Sequence, residues 1–228
     1  MNEKEAAKWT LEEKETESRR IIEEVLHRFG PDKVATTWTG GKDSTTLLHM
    51  LRQVGGGKVP VRVIKIDTSA DFPEIYSFVD RLAKEWDLDL HVLRNEEAIK
   101  TVKVAEDPLQ CCYQLKTVPL LSFIREQGLE AVFVAIRWDE QEARKDEPYF
   151  AQRQDPDHLR VQPLLHFREI DIWSYIRKYN LPFCELYRRG YRSLDCAPCT
   201  GRGGRSERGA RSQNKEAAMQ RLREMGYF

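Results

Sequence analysis

The sequence has no long apolar run and no excess of either charge. Lys and Arg together number 37, and so do Asp and Glu, so net charge indicates no class of partner. No segment is apolar over the length that a membrane-spanning helix needs, and the N terminus lacks the pattern of a signal peptide. These absences predict a cytoplasmic protein with no membrane contact, a setting in which structural disulfides are rare.

Cysteine is scarce, and its placement is informative. Four of the five cysteines form two compact pairs, Cys111-Cys112 and Cys196-x-x-Cys199. Two such pairs can supply the four thiolates that hold zinc or a [4Fe–4S] cluster. Adjacent cysteines are unusual in structural zinc sites, whose paired ligands are normally two to four residues apart. The fifth cysteine, Cys184, lies in an apolar run and is predicted to belong to the core.

The segment with the clearest chemistry lies between a β-prone run at 34–38 and leucines at helical spacing from Leu47. Its glycines, Gly40 and Gly41, leave the backbone open to a ligand. Free N–H groups at the start of the following helix suit a phosphate. Asp43 is placed either to cap that helix or to help hold Mg²⁺. The predicted phosphate-binding residues are Thr39, Gly40, Gly41, Lys42, Asp43, Ser44 and Thr45.

The rest of the chain alternates strand and helix patterns, which predicts an α/β fold with a doubly wound, mostly parallel sheet and helices on both faces. The predicted strands are 34–38, 61–66, 91–93, 131–136 and 161–165, and helices are expected at 73–86 and 169–178. We divide the chain into an N-terminal helical arm (1–30), a nucleotide-binding domain (31–180) and a C-terminal segment rich in cysteine and arginine (181–228).

The loop Thr39-Gly-Gly-Lys-Asp-Ser44 resembles the PP-loop of the ATP pyrophosphatases, Ser-Gly-Gly-Lys-Asp-Ser. It lacks the spacing of a Walker A loop. The resemblance implies a protein that binds ATP with Mg²⁺, breaks the bond between the α and β phosphates and transfers AMP to an acceptor oxygen.

Further segments resemble the phosphoadenosine-phosphosulfate reductase family, which includes the small subunit of bacterial sulfate adenylyltransferase. The matching segments are 67–74, 137–144, 163–164 with 169–176, 205–208 and 226–228. The resemblance implies an adenine nucleotide alpha hydrolase-like, Rossmann-like fold, with Asp67 and Thr68 holding adenosine. Ser69 stands where the family usually has Gly.

Four catalytic residues follow from these resemblances: Lys42, Asp43, Arg137 and Arg144. The two arginines are candidates for binding the anionic acceptor or the phosphates. The alternative for both arginines is surface ion pairing, for which the neighbours Asp139, Glu140 and Asp146 are available.

The cysteine pattern resembles that of the [4Fe–4S] adenylyl-sulfate reductases, in which Cys-Cys is followed by x-x-x-Lys-x-x-Pro-Leu, as in residues 111–120 here. This implies a cluster on Cys111, Cys112, Cys196 and Cys199, with Lys116 offsetting its negative charge and zinc as the rival metal. The reductases also carry a nucleophilic cysteine in a C-terminal Glu-Cys-Gly segment, and no cysteine follows Cys199.

The predicted function is therefore ATP-dependent adenylyl transfer in sulfur metabolism, acting on sulfate or on an acceptor to be thiolated. The alternatives are a sulfonucleotide reductase and a non-catalytic nucleotide-binding subunit. Beyond the nucleotide, the partners left open are a nucleic acid (tRNA or DNA), a sulfur donor, a GTPase-type protein and a second copy of the chain.

The C-terminal segment is rich in arginine. Between Arg188 and Arg211 there are seven arginines against two acidic residues, with glycines between them. Because such glycines disfavour a helix, we predict a flexible arm that becomes ordered over a phosphate-bearing ligand. The alternative is a solvated tail.

Overall fold

The computed structural model describes residues 3–226. The helices are α1 (Glu3–Ala6), α2 (Leu11–Phe29), α3 (Lys42–Val54), α4 (Pro73–Glu85), α5 (Glu96–Thr101), α6 (Pro108–Cys112), α7 (Val118–Gln127), α8 (Glu169–Lys178) and α9 (Gln213–Glu224). The strands are β1 (Val34–Thr37), β2 (Arg62–Ile66), β3 (Leu90–Leu93), β4 (Ala131–Phe133), β5 (Phe150–Arg153) and β6 (His158–Val161).

The strands form one six-stranded sheet in the order β3-β2-β1-β4-β6-β5. All neighbouring strands are parallel except β5, which pairs antiparallel with β6. The central strand β1 contacts both β2 and β4, with Thr36 opposite Val63 on one side and Phe133 on the other. The prediction of a mostly parallel, doubly wound sheet is confirmed.

Apolar side chains bury both faces of this sheet. One face packs against α2, α3 and α8 through a core that includes Ile21, Leu47 and Ile172, all fully buried. The other face packs against α7, where Ile124 lies in a cluster with Ala35. Helices therefore cover both faces, as expected when βαβ connections cross a parallel sheet.

The N-terminal helix packs closely on the domain. Thr10 and Glu13 form a capping box at the start of α2, and Gly30 ends the helix with a φ of 76°. On its buried side, Lys14 Nζ lies 2.5 Å from Asp171 Oδ2 on α8. An ion pair and an apolar core thus join this helix to the sheet domain.

The sheet differs from the sequence prediction in three places. The fifth strand was expected at 161–165, but the structure has β6 ending at Val161 and a turn after it. The antiparallel strand β5 was missed, because its sequence Phe-Ala-Gln-Arg contains no β-branched residue and no apolar run. Similarly, β4 ends at Phe133, and the chain then runs irregularly toward Arg137.

The C-terminal segment is more ordered than its composition suggested. It contains α9, whose Met219 and Leu222 pack with Cys111 and Cys112. Within residues 3–226, no helix is both long enough and apolar enough to cross a membrane. Tyr227 and Phe228, which belong to the family-like C-terminal match, lie outside the described residues.

Candidate active site

A cleft opens at the carboxyl ends of β1 and β4, where the strand order changes direction. In open α/β sheets this switch point is the usual place for a ligand. Most of the residues around the cleft come from the loops after β1, β2 and β4 and from the C-terminal segment, while β2 itself and the segment before α7 contribute one lysine each. They include Thr39, Gly41, Lys42, Asp43, Ser44, Lys65, Thr68, Asp71, Lys116, Glu140, Arg144, Tyr187, Ser193, Asp195, Arg208 and Arg211.

The PP-loop is held in shape by its own hydroxyl groups. The Ser44 hydroxyl lies 3.1 Å from the Thr39 hydroxyl and 3.2 Å from the Gly41 carbonyl oxygen. Gly40 has a φ of 77°, and a Cβ there would lie 3.1 Å from Val79 and 3.2 Å from Ile75. A side chain at position 40 would therefore be strained in its backbone and crowded against α4.

Lys42 and Arg137 come together beside this loop, and both side chains are almost fully buried. Lys42 Nζ lies 3.0 Å from Asp43 Oδ2 and also contacts Glu207. Arg137 contacts Asp43 and Glu207 and lies 2.9 Å from Asp139. The predicted catalytic residues Lys42, Asp43 and Arg137 thus form one ion-pair network. The expected pairing of Arg137 with Asp139 is present, but it is buried.

Tyr187 closes the start of the helix that follows the loop. Helix α3 begins at Lys42, with Gly41 as an N-cap that offers no side chain. The Lys42 backbone N–H donates to the Tyr187 hydroxyl at 2.9 Å. Asp43 lies inside the helix and pairs with Lys42 and Arg137, so it does not cap the helix.

Asp67 and Thr68, which were both expected to hold adenosine, lie in the loop after β2 but in different surroundings. Thr68 lines the cleft, whereas Asp67 is 3% exposed and accepts bonds from the Ser69 N–H, Tyr76 and Arg94 at 2.8 Å each. Asp67 therefore shapes the loop. Ser69 has a φ of 58°, in the left-handed region that favours glycine, which accounts for the glycine that the family usually carries there.

Arg144 enters the cleft from the chain after β4. It contacts Glu140, which also lies 2.7 Å from Arg208. Burial alone would raise the pKa of Glu140, but Arg144, Arg208 and Arg137 outweigh it and hold that pKa well below its ordinary value. Arg144 is thus ion-paired and also lines the cleft, so ion pairing and the binding of an anionic ligand are both compatible with its position.

The prediction of a flexible arginine arm was wrong for its last two arginines. Arg208 is 9% exposed and lies 2.7 Å from Glu216 on α9. Arg211 lies 2.6 Å from Asp195. Composition could not reveal these partners, which are distant carboxylates brought together by the fold. Arg202 and Arg205 are exposed, as expected of a loop.

The two cysteine pairs lie in one buried region. All four thiols are 3% or 4% exposed. Cys199 is near enough to Cys111, Cys112 and Cys196 for their charges to interact. A hydrogen bond from Cys112 lowers the pKa of Cys111 to about 7, while the pKa of Cys112 is raised. Among the described residues, no three His, Cys, Asp or Glu side chains are arranged to coordinate one metal ion.

One buried acid next to the cysteines pairs with several positive side chains, which therefore lie close to the thiols. Asp195, directly before Cys196, lies 2.5 Å from Lys116 and also contacts Lys215. Burial alone would raise the pKa of Asp195, but Lys116, Lys215 and Arg211 hold it well below its ordinary value. Lys215 also lies near Cys111 and Cys112. Lys215 therefore favours the thiolate form of these cysteines, while the hydrogen bond to Cys111 raises the pKa of Cys112 and burial raises that of Cys199.

A short π-helix, Tyr113–Thr117, follows the first cysteine pair. Pro119 has no N–H to donate, so the helical hydrogen-bond ladder between α6 and α7 is interrupted there. In its place, the Val118 N–H donates to the Tyr113 carbonyl five residues earlier. Such π-turns occur frequently at functional sites, and this one contains Lys116.

Sequence reasoning missed two residues of the site, Tyr187 and Glu207. Glu207 had been noted within the family-like segment 205–208 and as one of two acids in the arginine-rich segment, but with no role beside Lys42, and Tyr187 lies in no recognisable motif. Each contacts Lys42 from more than 140 positions away in the chain. Nothing short of the tertiary structure identifies such partners.

Comparison with known protein families gives a match over most of the chain. The model of the phosphoadenosine phosphosulfate reductase domain matches residues 33–202. A sulfate adenylyltransferase subunit 2 from Streptomyces lavendulae is 30% identical over 197 residues, which cover 76% of this chain and 61% of that protein. An adenosine 5'-phosphosulfate reductase from Salinibacter ruber is 28% identical over 191 residues, 80% of this chain and 73% of that protein.

Solved structures show the same fold at lower identity. A phosphoadenylyl-sulfate reductase from Candida auris, in a phosphate complex, superposes with a TM-score of 0.67 at 22% identity, covering 81% of this chain and 90% of that chain. An FMN adenylyltransferase from Candida glabrata, with FAD and pyrophosphate, gives a TM-score of 0.68 at 21% identity, covering 84% and 65%. Both likenesses concern the fold.

Proposed function

The chain belongs to the phosphoadenosine phosphosulfate reductase family, and from that premise we propose that it is an enzyme that transfers AMP from ATP to an anionic acceptor. The observation that carries the proposal is the complete PP-loop at the switch point of the sheet, with Lys42 and Ser44 lining the cleft. A glycine-rich loop with this charge, at the start of a helix, suits a nucleotide diphosphate.

In the proposed reaction, the acceptor oxygen forms a bond to the α-phosphorus, and the bond from that phosphorus to the diphosphate breaks. The electron pair leaves with pyrophosphate. Gly40, Gly41 and Ser44 would hold the diphosphate through N–H and hydroxyl groups. Lys42 and Arg137 would neutralise the charge that develops on it. Positioning and charge stabilisation of this kind supply most of the catalysis in phosphoryl chemistry.

We assign Mg²⁺ to the acidic side of the same network. Asp43 and Asp139 flank Arg137, and carboxylate oxygens are the ligands that Mg²⁺ prefers. When bound, the ion would neutralise phosphate charge. We expect Asp43 to hold the ion, because Asp43 lies next to Lys42 in the PP-loop, where the phosphates are proposed to bind.

The four paired cysteines are proposed to hold a [4Fe–4S] cluster, with zinc as the rival. Two features support a thiolate-bound centre: the four cysteines are buried, with Cys199 near Cys111 and Cys112, and positive side chains lie around them. A centre ligated by four thiolates is strongly anionic, which Lys116 and Lys215 would offset. The adjacency of Cys111 and Cys112 favours the cluster over zinc.

Among acceptors, we propose sulfate. Arg144, Arg208 and Arg211 line the cleft, and several relatives are named as subunits that adenylate sulfate. Because these relatives are named 'subunit 2', a name that implies another subunit, we also propose that this chain binds a protein partner. The buried pairing of Arg208 and Arg211 gives less support to a nucleic acid, because those side chains are not free to follow a phosphate backbone.

The test is a product analysis with ATP labelled at the α-phosphate. We would incubate the protein with sulfate, tRNA or DNA, remove pyrophosphate enzymatically, and separate the labelled products. A labelled AMP–sulfate adduct that is absent with Lys42→Ala supports the proposal. Labelled nucleic acid and no sulfate adduct would reassign the acceptor. If no acceptor gives a labelled AMP adduct, the proposed adenylyl transfer is wrong.

A further inference from the structure

The ammonium group of the PP-loop lysine is already fully occupied by the chain itself. Lys42 Nζ lies 3.0 Å from Asp43 Oδ2 and 3.2 Å from the Arg192 carbonyl oxygen, and it also donates to Glu207. An ammonium group has three donors, so all of them have acceptors. A phosphate oxygen can bind Lys42 only if one of these acceptors leaves.

Each of the three guanidinium nitrogens of Arg137 also contacts a carboxylate, and one of these carboxylates is shared with Lys42. One oxygen of Glu207 accepts from Lys42 and the other from Arg137. With Asp43 and Asp139, three carboxylates surround these two cations. The group as a whole carries one net negative charge and would repel a diphosphate in this state.

Of the three carboxylates, Glu207 is the one that the fold leaves able to move. Asp43 is fixed within α3 beside Lys42, and Asp139 also accepts the Glu169 N–H at 2.9 Å, at the start of α8. Glu207 lies in an irregular loop, residues 200–211, which we call the strap.

The strap has flexible points on both sides of Glu207. Gly203 and Gly204 have φ values of 83° and 101°, and Gly209 follows Glu207 by two residues. Apart from its contacts with Lys42 and Arg137, the strap is held by ion pairs of Arg208 and Arg211 with Glu140, Glu216 and Asp195. Backbone hydrogen bonds near its ends add to these, from the Gly201 N–H to the Ala210 carbonyl oxygen and from the Gly203 N–H to the Gly190 carbonyl oxygen.

We propose that Glu207 occupies the diphosphate subsite as an internal anion, and that the strap opens when a diphosphate displaces it. The carboxylate, with one oxygen on each cation, takes the position of a bridging phosphate group. Glu207 is therefore a determinant of affinity for the diphosphate part of the ligand. The inference rests on the proposed function in one respect, namely that a diphosphate binds at Lys42.

The first test is calorimetric titration of the full chain with inorganic pyrophosphate at constant Mg²⁺. Glu207→Gln keeps the shape of the side chain and removes its charge, so we expect the dissociation constant to fall tenfold or more, as when a charge-assisted competitor is lost. The matched control is Glu185→Gln, an exposed carboxylate of the C-terminal segment that pairs with Arg189. We expect this control to bind pyrophosphate as the wild type does.

The second test follows the strap itself in the wild-type protein. Arg208 is buried, so trypsin should cut after it slowly, and saturating pyrophosphate should speed that cut severalfold. Cleavage after Arg125, which is exposed and distant from the cleft, provides the internal reference.

The outcomes separate the two proposals. If the wild type and Glu207→Gln bind pyrophosphate within twofold of each other, and cleavage after Arg208 does not change, the strap inference is wrong and the nucleotide site stands. Weaker binding by Glu207→Gln would also overturn the inference, since Glu207 would then assist the ligand. If neither protein binds pyrophosphate, the proposed nucleotide site itself is wrong, and the strap with it.

Discussion

The hydroxyl oxygen of Thr68 lies 3.2 Å from the sulfur of Cys196. Next to this contact, the Ala197 N–H donates to the Ala70 carbonyl oxygen at 2.7 Å. The loop after β2, which lines the cleft through Thr68, is therefore bonded directly to the second cysteine pair. The segment that carries the second cysteine pair is thus joined to the wall of the cleft by these two hydrogen bonds.

The cysteine centre can be tested by metal analysis. Protein prepared without oxygen should be brown and carry about four irons, as a four-thiolate cubane requires. Cys196→Ser should lose most of the iron, because it removes one of the four thiolates. Cys184→Ser is the matched control, since Cys184 is buried among apolar residues such as Trp38 and should leave iron content unchanged. If metal analysis finds only zinc after anoxic reconstitution, the proposed iron–sulfur cluster is wrong.

The ion pairs that hold the strap in place can be tested by measuring the free energy of unfolding of two variants. Arg208→Ala would leave Glu140 and Glu216 without their shared partner, and breaking a buried ion pair costs about 3 kcal/mol or more. Arg144 still contacts Glu140, so we expect the lower end of that range. Arg205→Ala, in the exposed part of the strap, should change the free energy of unfolding by less than about 0.5 kcal/mol. Equal effects of the two variants in urea unfolding would contradict the ordered strap.

The sequence allowed much of the fold and part of the site to be predicted. Repeating βα patterns and the glycines of the PP-loop are local signals, so the parallel sheet, α2 and the loop at Lys42 were correctly placed. Strand β5, Phe-Ala-Gln-Arg, lacks the β-branched residues that make a short strand recognisable. Glu207 and Tyr187 reach Lys42 only through the folded chain. The burial of Asp67 beneath Arg94 and Tyr76 likewise depends on which side chains surround it.

We expect no thiol-dependent reduction of adenylyl sulfate or of its 3'-phosphorylated form. Such a reaction needs an accessible thiolate to attack sulfur. Outside the two pairs, the sequence contains only Cys184. It is 1% exposed, and burial raises the pKa of its thiol. Sulfite production with thioredoxin as the reductant would contradict this expectation and would assign the nucleophile to Cys184, to a paired cysteine or to a partner.

Stability should fall on the acid side of neutrality because of His166. Burial lowers the pKa of this histidine from 6.5 to about 4, so the folded state favours the neutral ring. The unfolded chain takes up the proton first as pH falls below 6.5. The stabilising contribution of the neutral His166 ring is therefore fully present above pH 6.5 and is lost as the pH falls to about 4. One pKa unit corresponds to about 1.4 kcal/mol, so the loss is about 3 kcal/mol.

His166→Gln should lower stability at neutral pH and make its dependence on pH between 4 and 6.5 shallower. The side chain lies 2.9 Å from both Tyr149 and the Lys14 carbonyl oxygen, which a glutamine can partly satisfy. His27→Gln, on the exposed side of α2, is the control and should follow the wild-type curve. Urea unfolding at several pH values provides the comparison, and equal slopes for wild type and His166→Gln would contradict the assignment.

The measurement that tests the central claim most directly is the fate of the γ-phosphate during turnover with Mg²⁺ and sulfate. With ATP labelled at that position, we predict that the label leaves as pyrophosphate. Lys42→Ala should reduce the rate by ~10²-fold or more, the usual effect of removing one positioned charge. Lys58→Ala, an exposed surface lysine paired with Asp87, should retain the wild-type rate. Release of the label as orthophosphate alone, in the absence of any pyrophosphatase, would contradict cleavage between the α and β phosphates and with it the proposed adenylyl transfer.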